Sequence, residues 1–122
     1  RVLVLGYSYK PELGDIRETP VSDLVKGLLK RGLEVLIWDP IVSSEDLPEE
    51  AIILDSPYES RDCGIMVLAT AHEEVLNLDW EMMKREDIKP IIYDGRRVLD
   101  REMLESLGWE YYGIGLPRSE EV

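Results

Sequence analysis

One cysteine, one histidine and no phenylalanine occur in the 122 residues, and acidic side chains outnumber basic ones 26 to 14. Each shortage closes a class of function. Cys63 by itself forms neither an intrachain disulfide nor a cysteine-based metal site, and a lone thiol suits a reducing compartment. His72 makes no usual zinc site without recruiting carboxylates, and Glu73 and Glu74 beside it lack metal-ligand spacing. The formal net charge of -12 repels nucleic acid and anionic membrane, so neither is expected as a partner. A small anion remains possible, because backbone N–H groups and a few basic side chains can hold a phosphate in an acidic surround. No apolar run approaches the roughly 18 residues of a membrane span, and no signal peptide opens the chain, which points to the cytoplasm. The chain begins at Arg1, almost inside a strand and without an initiating Met, and reads as a piece of a longer protein.

Glycine is scarce where a dinucleotide would need it. Gly6 is followed by Tyr7, Ser8 and Tyr9, so the three spaced glycines that let a backbone approach a pyrophosphate are missing. A Gly-Lys-Ser or Gly-Lys-Thr triphosphate loop is also missing, and no cofactor is expected in this segment. The sequence shows no internal repeat, low-complexity segment or linker, so 122 residues with 44% apolar content fit one domain with a real core.

What is present is an alternation of apolar runs and helical patterns. Arg1 to Leu5 reads as a buried strand, and Val21, Leu24, Val25, Leu28 and Leu29 recur at helical spacing between Pro20 and Arg31. Thr19 supplies a capping hydroxyl, Pro20 suits the first helical position, and Gly32 ends the helix. Glu34 to Trp38 is a second strand stopped at Asp39-Pro40, and residues 41 to 50 are acidic and irregular. Ala51 to Leu54 is either a short strand or an apolar stretch inside a loop. Ser56 and Pro57 open a short helix through Arg61. Gly64 to Ala69 is a third buried strand, with Thr70 to Glu74 as its loop and a helix from about Asp79 to Glu86. Pro90 to Tyr93 is a fourth strand with its turn at Asp94 to Arg97, Arg101 to Leu107 a helix, and Trp109 to Tyr112 a fifth strand. Near-continuous apolar strands alternating with helices predict a Rossmann-like, doubly wound α/β fold, a three-layer parallel sheet of about five strands in the order 3-2-1-4-5. Ligands of such sheets bind at the carboxyl edge, where the loop from Tyr7 to Glu18 and the segment from Tyr93 to Asp100 lie.

Those two segments also carry a resemblance. The runs Gly6-Tyr7-Ser8-Tyr9-Lys10-Pro11 and Gly14-Asp15-Ile16-Arg17-Glu18-Thr19-Pro20 resemble the start of the C-terminal domain of the UDP-glucose/GDP-mannose dehydrogenase family. The similarity continues, in order and spacing, through Glu34 to Pro40, Ala69 to Glu74, Asp94-Gly95-Arg96 with Val98-Leu99-Asp100, and Tyr111 to Gly115. It implies that residues 1–117 form the domain that binds the nucleotide end of a UDP-sugar, with 118–122 a charged tail. It also implies NAD on an absent N-terminal domain, and an absent central helical segment carrying the catalytic cysteine and the dimer contacts. This fragment is then not catalytic alone, and the full-length protein is an NAD-dependent UDP-sugar 6-dehydrogenase, a homodimer or higher. UDP-glucose and UDP-N-acetylmannosamine are both open as substrates, and GDP-mannose is less favoured.

Residue by residue, the resemblance implies substrate binding by Tyr9, Lys10 and Arg96, with Arg17 and Arg97 as further candidates. Lysine suits a phosphate or sugar oxygen as a mobile point charge, and arginine offers a planar fork of donors. Arg17, between Asp15 and Glu18, serves equally well to pin its loop and cap the helix. His72 reads as a loop-and-cap feature, Cys63 as a core thiol, and Trp38, Trp80 and Trp109 as packing aromatics. Tyr9 and Leu13 depart from the family's commoner phenylalanine and threonine. The alternative is a Rossmann-like binding or assembly module with no intact nucleotide pocket, in which Lys10 and Arg96 are ordinary surface charges. A response-regulator-like domain would need acidic residues where Gly6 and Tyr7 stand.

Overall fold

A computed structural model describes residues 1–17, 19–84 and 89–114. Six parallel strands, β1 (Val2–Leu5), β2 (Val35–Trp38), β3 (Ile52–Ile53), β4 (Ile65–Leu68), β5 (Ile91–Asp94) and β6 (Glu110–Gly113), form one sheet in the order β3-β2-β1-β4-β5-β6. The central strand pairs on both sides, Leu3 opposite Leu36 and Met66, which is why every residue of β1 is apolar and buried. Among the described residues four α-helices flank the sheet: α1 (Pro20–Lys30), α2 (Glu73–Leu76), α3 (Trp80–Met83) and α4 (Arg101–Ser106).

The strand period of two splits the core between the faces. Val2, Val4, Val35 and Ile37 pack with Val21 and Val25 of α1. Leu3, Leu5, Leu36, Met66, Leu68 and Ile92 pack on the other face with Val75 of α2, Trp80 and Met83 of α3 and Leu104 of α4. Each such side chain contributes about 1.5–3 kcal/mol when buried. Trp80 and Trp109 meet edge to face with centroids 5.6 Å apart, and the Trp109 indole N–H donates to the Trp80 carbonyl at 2.9 Å. Trp38 is buried as well, as is Cys63, so the packing roles read from sequence hold.

The parallel, doubly wound architecture is the one expected; the differences are local. Ile52–Ile53 is a strand, and as an edge strand of only two residues it carries too little pattern to declare itself. It takes third place beside β2. The run Gly64 to Ala69, third in a count of five, is therefore β4 and hydrogen-bonds to β1. Helix α2 occupies the end of what reads as a loop after Thr70, one turn too short for periodicity to register. The short helix after Ser56 is a 3-10 turn, Pro57–Glu59, capped by the Ser56 hydroxyl. The helix expected from about Asp79 to Glu86 runs from Trp80 to Met83 within the described residues, and Arg85, Glu86 and the tail 118–122 lie outside them.

Candidate functional site

Two aspartates at strand ends build the carboxyl edge. Asp39 follows β2 with its side chain wholly buried. Its Oδ2 accepts from the Tyr7 N–H at 2.7 Å and Oδ1 from the Ile41 and Val42 N–H groups at 2.8 and 2.9 Å, so it ties the loop after β1 to the loop after β2. His72 Nε2 lies 2.9 Å from Oδ2. Burial pushes this carboxyl up, but the hydrogen bonds from His72, Val42, Tyr7 and Ile41 more than reverse it and hold it at about 2, below its usual 3.8.

The long loop after β1 turns on Gly6, whose φ is +90° and where a Cβ would sit 2.5 Å from the Thr70 Cβ. Only glycine allows that approach. Thr70 then donates its hydroxyl to the Ser8 carbonyl at 2.8 Å, and Thr19 donates to the Tyr7 carbonyl at 2.9 Å while capping α1 at Val21 N. The Ser8 hydroxyl donates to the Lys10 carbonyl at 2.9 Å, and the Glu12 N–H donates to His72 Nδ1 at 2.9 Å. The Glu12 carboxylate in turn accepts from the N–H of Glu73, the first residue of α2.

Asp94, the last residue of β5, performs the same task on the other side. It is fully buried and accepts from the N–H groups of Arg96, Val98 and Leu99 and from the Tyr111 hydroxyl at 2.8 Å. Burial and that carboxylate push the Tyr111 phenol well above its usual range. Gly95 is required because a Cβ there would stand 2.8 Å from the Leu68 carbonyl oxygen. The turn directs Arg96 back across β4, where its Nε donates to the Ala69 carbonyl at 3.0 Å. Its remaining N–H donors sit on the two Nη groups.

The result is a cleft of about 540 Å³ walled by Tyr9, Lys10 and Pro11 from the loop after β1, Ala71 after β4, and Arg96 and Val98 after β5, with Pro20 of α1 at its side. It sits outside β1 and β4, where the strand order reverses, and its size is within the roughly 300–1,000 Å³ of ligand pockets. Three of the five candidate residues, Tyr9, Lys10 and Arg96, are thus brought together; Lys10 Nζ lies 5.7 Å from the Tyr9 ring centroid. Tyr9 is 44% exposed.

Arg17 and Arg97 do not wall the cleft. Arg17 forms a two-bonded pair with Asp15, Nε to Oδ1 at 3.0 Å and Nη2 to Oδ2 at 2.9 Å, and those hydrogen bonds hold the Asp15 carboxyl at about 2. Its loop-pinning role is therefore visible. The helix is capped by Thr19, and Glu18 lies outside the described residues. Arg97 is exposed at φ 56°, a left-handed position inside the Asp94 turn.

Two further clefts open beyond β2 and β3, of about 650 and 390 Å³. Glu12, Asp55, Glu73 and Glu74 line the larger and Asp39, Asp55 and Glu74 the smaller. Such rims oppose an anion, so among these three clefts of the described residues it is the basic one of about 540 Å³ that suits a phosphate. The described residues do not fit a dinucleotide cofactor either. The carboxylate that ends β2, which holds a ribose in dinucleotide-binding sheets, is here buried and consumed by backbone N–H groups and His72.

Sequence reasoning missed the depth of three residues. Asp39 and Asp94 read as a stop and a turn, yet each ends an apolar run in a strand paired on both sides, the position at which a carboxylate can collect loop N–H groups. His72 does stand at the N-cap of α2, but its side chain makes no cap there and is instead wholly buried between Asp39, Ser8 and Glu12. Only its solitary placement just beyond a buried strand hinted at this.

Fold and cleft together define a Rossmann-like domain with a basic site at its switch point, a class that holds anionic small molecules. The chain belongs to the UDP-glucose/GDP-mannose dehydrogenase family: the model of that family's UDP binding domain matches residues 3–101. It is 32% identical over 119 residues to the UDP-glucose 6-dehydrogenase of Rickettsia conorii and 32% identical over 133 residues to that of Drosophila melanogaster, covering 93% and 94% of this chain and 28% of each relative. The chain thus spans little more than a quarter of their length. Among solved structures, an NDP-N-acetyl-D-galactosaminuronic acid dehydrogenase from Methanosarcina mazei superposes with a TM-score of 0.78 at 28% identity, over 93% of this chain and 24% of that one. A UDP-N-acetyl-mannosamine dehydrogenase from S. aureus gives 0.70 at 27% identity, over 93% and 25%.

Proposed function

We propose that the cleft between Tyr9–Lys10 and Arg96 binds the nucleotide diphosphate end of a UDP-sugar, as part of an NAD-dependent UDP-sugar 6-dehydrogenase. The observation that carries this is the convergence of Lys10 and Arg96, from loops some 86 positions apart in the chain, on one cleft at the switch point. Lys10 supplies a mobile charge for a phosphate or sugar oxygen, and the Arg96 fork, steered by its bond to Ala69, supplies directed donors. Tyr9 offers a ring face. Arg17 and Arg97 contact the more distant parts of the ligand once the protein's other domains complete the site. Residues 1–117 are the binding domain, with NAD, the reactive thiol and the subunit contacts of a cytoplasmic homodimer or higher assembly supplied by segments outside this chain. UDP-glucose and UDP-N-acetylmannosamine are equal candidates.

Calorimetric titration with UDP, UDP-glucose, UDP-N-acetylmannosamine and GDP tests the reading, on this chain and on the full-length protein. Uridine ligands should bind in preference to GDP, and Lys10→Ala and Arg96→Ala should each weaken UDP by about tenfold or more, the usual worth of a hydrogen bond to a charged group. Unchanged affinity in both variants would return Lys10 and Arg96 to ordinary surface charges and favour an assembly module.

A further inference from the structure

We propose that His72 is a positioning residue for this cleft, held as the neutral tautomer with its proton on Nε2, and that its unprotonated Nδ1 sets Lys10 in place by accepting the Glu12 N–H. The role rests on the nucleotide-binding reading above. The tautomer follows from the partners. A backbone N–H only donates, so the Glu12 N–H at 2.9 Å makes Nδ1 the acceptor. On the other side of the ring Asp39 Oδ2 at 2.9 Å is an ionised acceptor, so Nε2 must carry the hydrogen. Ser8 Oγ, 3.1 Å from Nε2, has its own proton committed to the Lys10 carbonyl and can only receive. All three contacts agree on one protonation pattern.

The placement gives this pattern a purpose. Ser8 and Glu12 bracket Tyr9 and Lys10 in sequence, and the imidazole touches both brackets from beneath. Glu12 has φ 63°, a left-handed conformation that a non-glycine residue adopts only when something holds it. The holding group is Nδ1, aided by the bond from Glu73 N–H to the Glu12 carboxylate. His72 is itself 0% exposed and does not wall the cleft, so its effect on a ligand passes through the loop.

Two substitutions separate the ends of the ring. His72→Asn puts an amide oxygen near the position of Nδ1 and abandons Asp39; His72→Gln puts an amide N–H near Nε2 and abandons Glu12. With circular dichroism confirming that both fold, UDP titration should show His72→Asn within about threefold of the unsubstituted chain and His72→Gln weakened by roughly tenfold, comparable to Lys10→Ala. Combining His72→Gln with Lys10→Ala should weaken binding little beyond either alone, because coupled residues are non-additive. Nitrogen-15 NMR of the unsubstituted imidazole should show Nδ1 as the unprotonated nitrogen. A proton on Nδ1, or equal UDP affinity in the Asn and Gln variants, overturns the proposal while leaving the cleft assignment standing. If UDP binds without dependence on Lys10, the positioning role fails, and if it depends on neither Lys10 nor Arg96 the cleft assignment fails with it.

Discussion

Asp39→Asn removes the charge on which the carboxyl edge is hung. The carboxyl's pKa lies at about 2 against 3.8 in its unperturbed state, and at 1.36 kcal/mol per unit this difference is worth about 2 kcal/mol of folding stability. Because the folded value is the lower one, the contribution is fully present above pH 3.8 and is lost as pH falls through about 2. Asparagine keeps the shape but turns an NH2 group toward N–H donors of Tyr7 or of Ile41 and Val42, which adds about 1–3 kcal/mol of unsatisfied polar cost. The variant should therefore be about 3–5 kcal/mol less stable at pH 7, measured by urea unfolding. The gap between it and the unsubstituted chain should narrow by about 2 kcal/mol as pH is lowered to 2 and below. The pH-dependence of the difference isolates Asp39 from other carboxylates such as Asp15, which both chains share. A gap that stays constant from pH 7 to pH 2 would refute the argument, since it would mean that the charge of Asp39 contributes nothing.

Other perturbations reach the second wall. Tyr111→Phe deletes a hydroxyl that donates to the buried Asp94 carboxylate at 2.8 Å, and should cost about 1.5–3 kcal/mol in the same unfolding assay. In the unsubstituted chain the Tyr111 phenol should be the last tyrosine to ionise in a spectrophotometric alkaline titration. Gly95→Ala places a Cβ against the Leu68 carbonyl, with backbone rather than a flexible side chain as the obstacle, so about 1–3 kcal/mol is expected together with weakened UDP binding through displacement of Arg96. A stable Gly95→Ala variant with unchanged UDP affinity would show that the turn tolerates movement.

How far the sequence disclosed this arrangement varies by element. The central strands declared themselves because burial on both faces leaves no polar residue in Val2–Leu5 or Val35–Trp38. Helix α1, with a capping Thr19 and eleven residues, had room for its period to appear. The four-residue helix α2 had not, while α3 was expected from Asp79 onward though only one turn of it is helical among the described residues; both depend on tertiary packing of Val75, Trp80 and Met83. Lys10 and Arg96 were legible as ligand candidates through their motifs and their place after strands. The hydrogen-bonded underside of the cleft was not. Asp39 and Asp94 bind N–H groups of their own turns but also reach partners 32 and 17 positions away, and His72 reaches one 64 positions away; separations of that kind leave no trace in local pattern.

The short passage from Leu68 to Ala71 works as a gauge for what the cleft admits. One wall is fastened to it by the bond from Thr70 to Ser8 and the other by those from Gly95 and Arg96 to the Leu68 and Ala69 carbonyls. The distance between the walls is therefore inherited from the spacing of β1, β4 and β5, about 4.8 Å per strand, and not from any side chain. A sheet does not stretch. On the function proposed above, the span available to a UDP-sugar is consequently the same whatever sugar it carries, and bulk can be accommodated only outward, past Tyr9 and Val98, where both side chains are exposed. Divergence in substrate within such a scaffold would then be written at the mouth of the cleft, while the grip on the part common to all substrates stays fixed by the backbone.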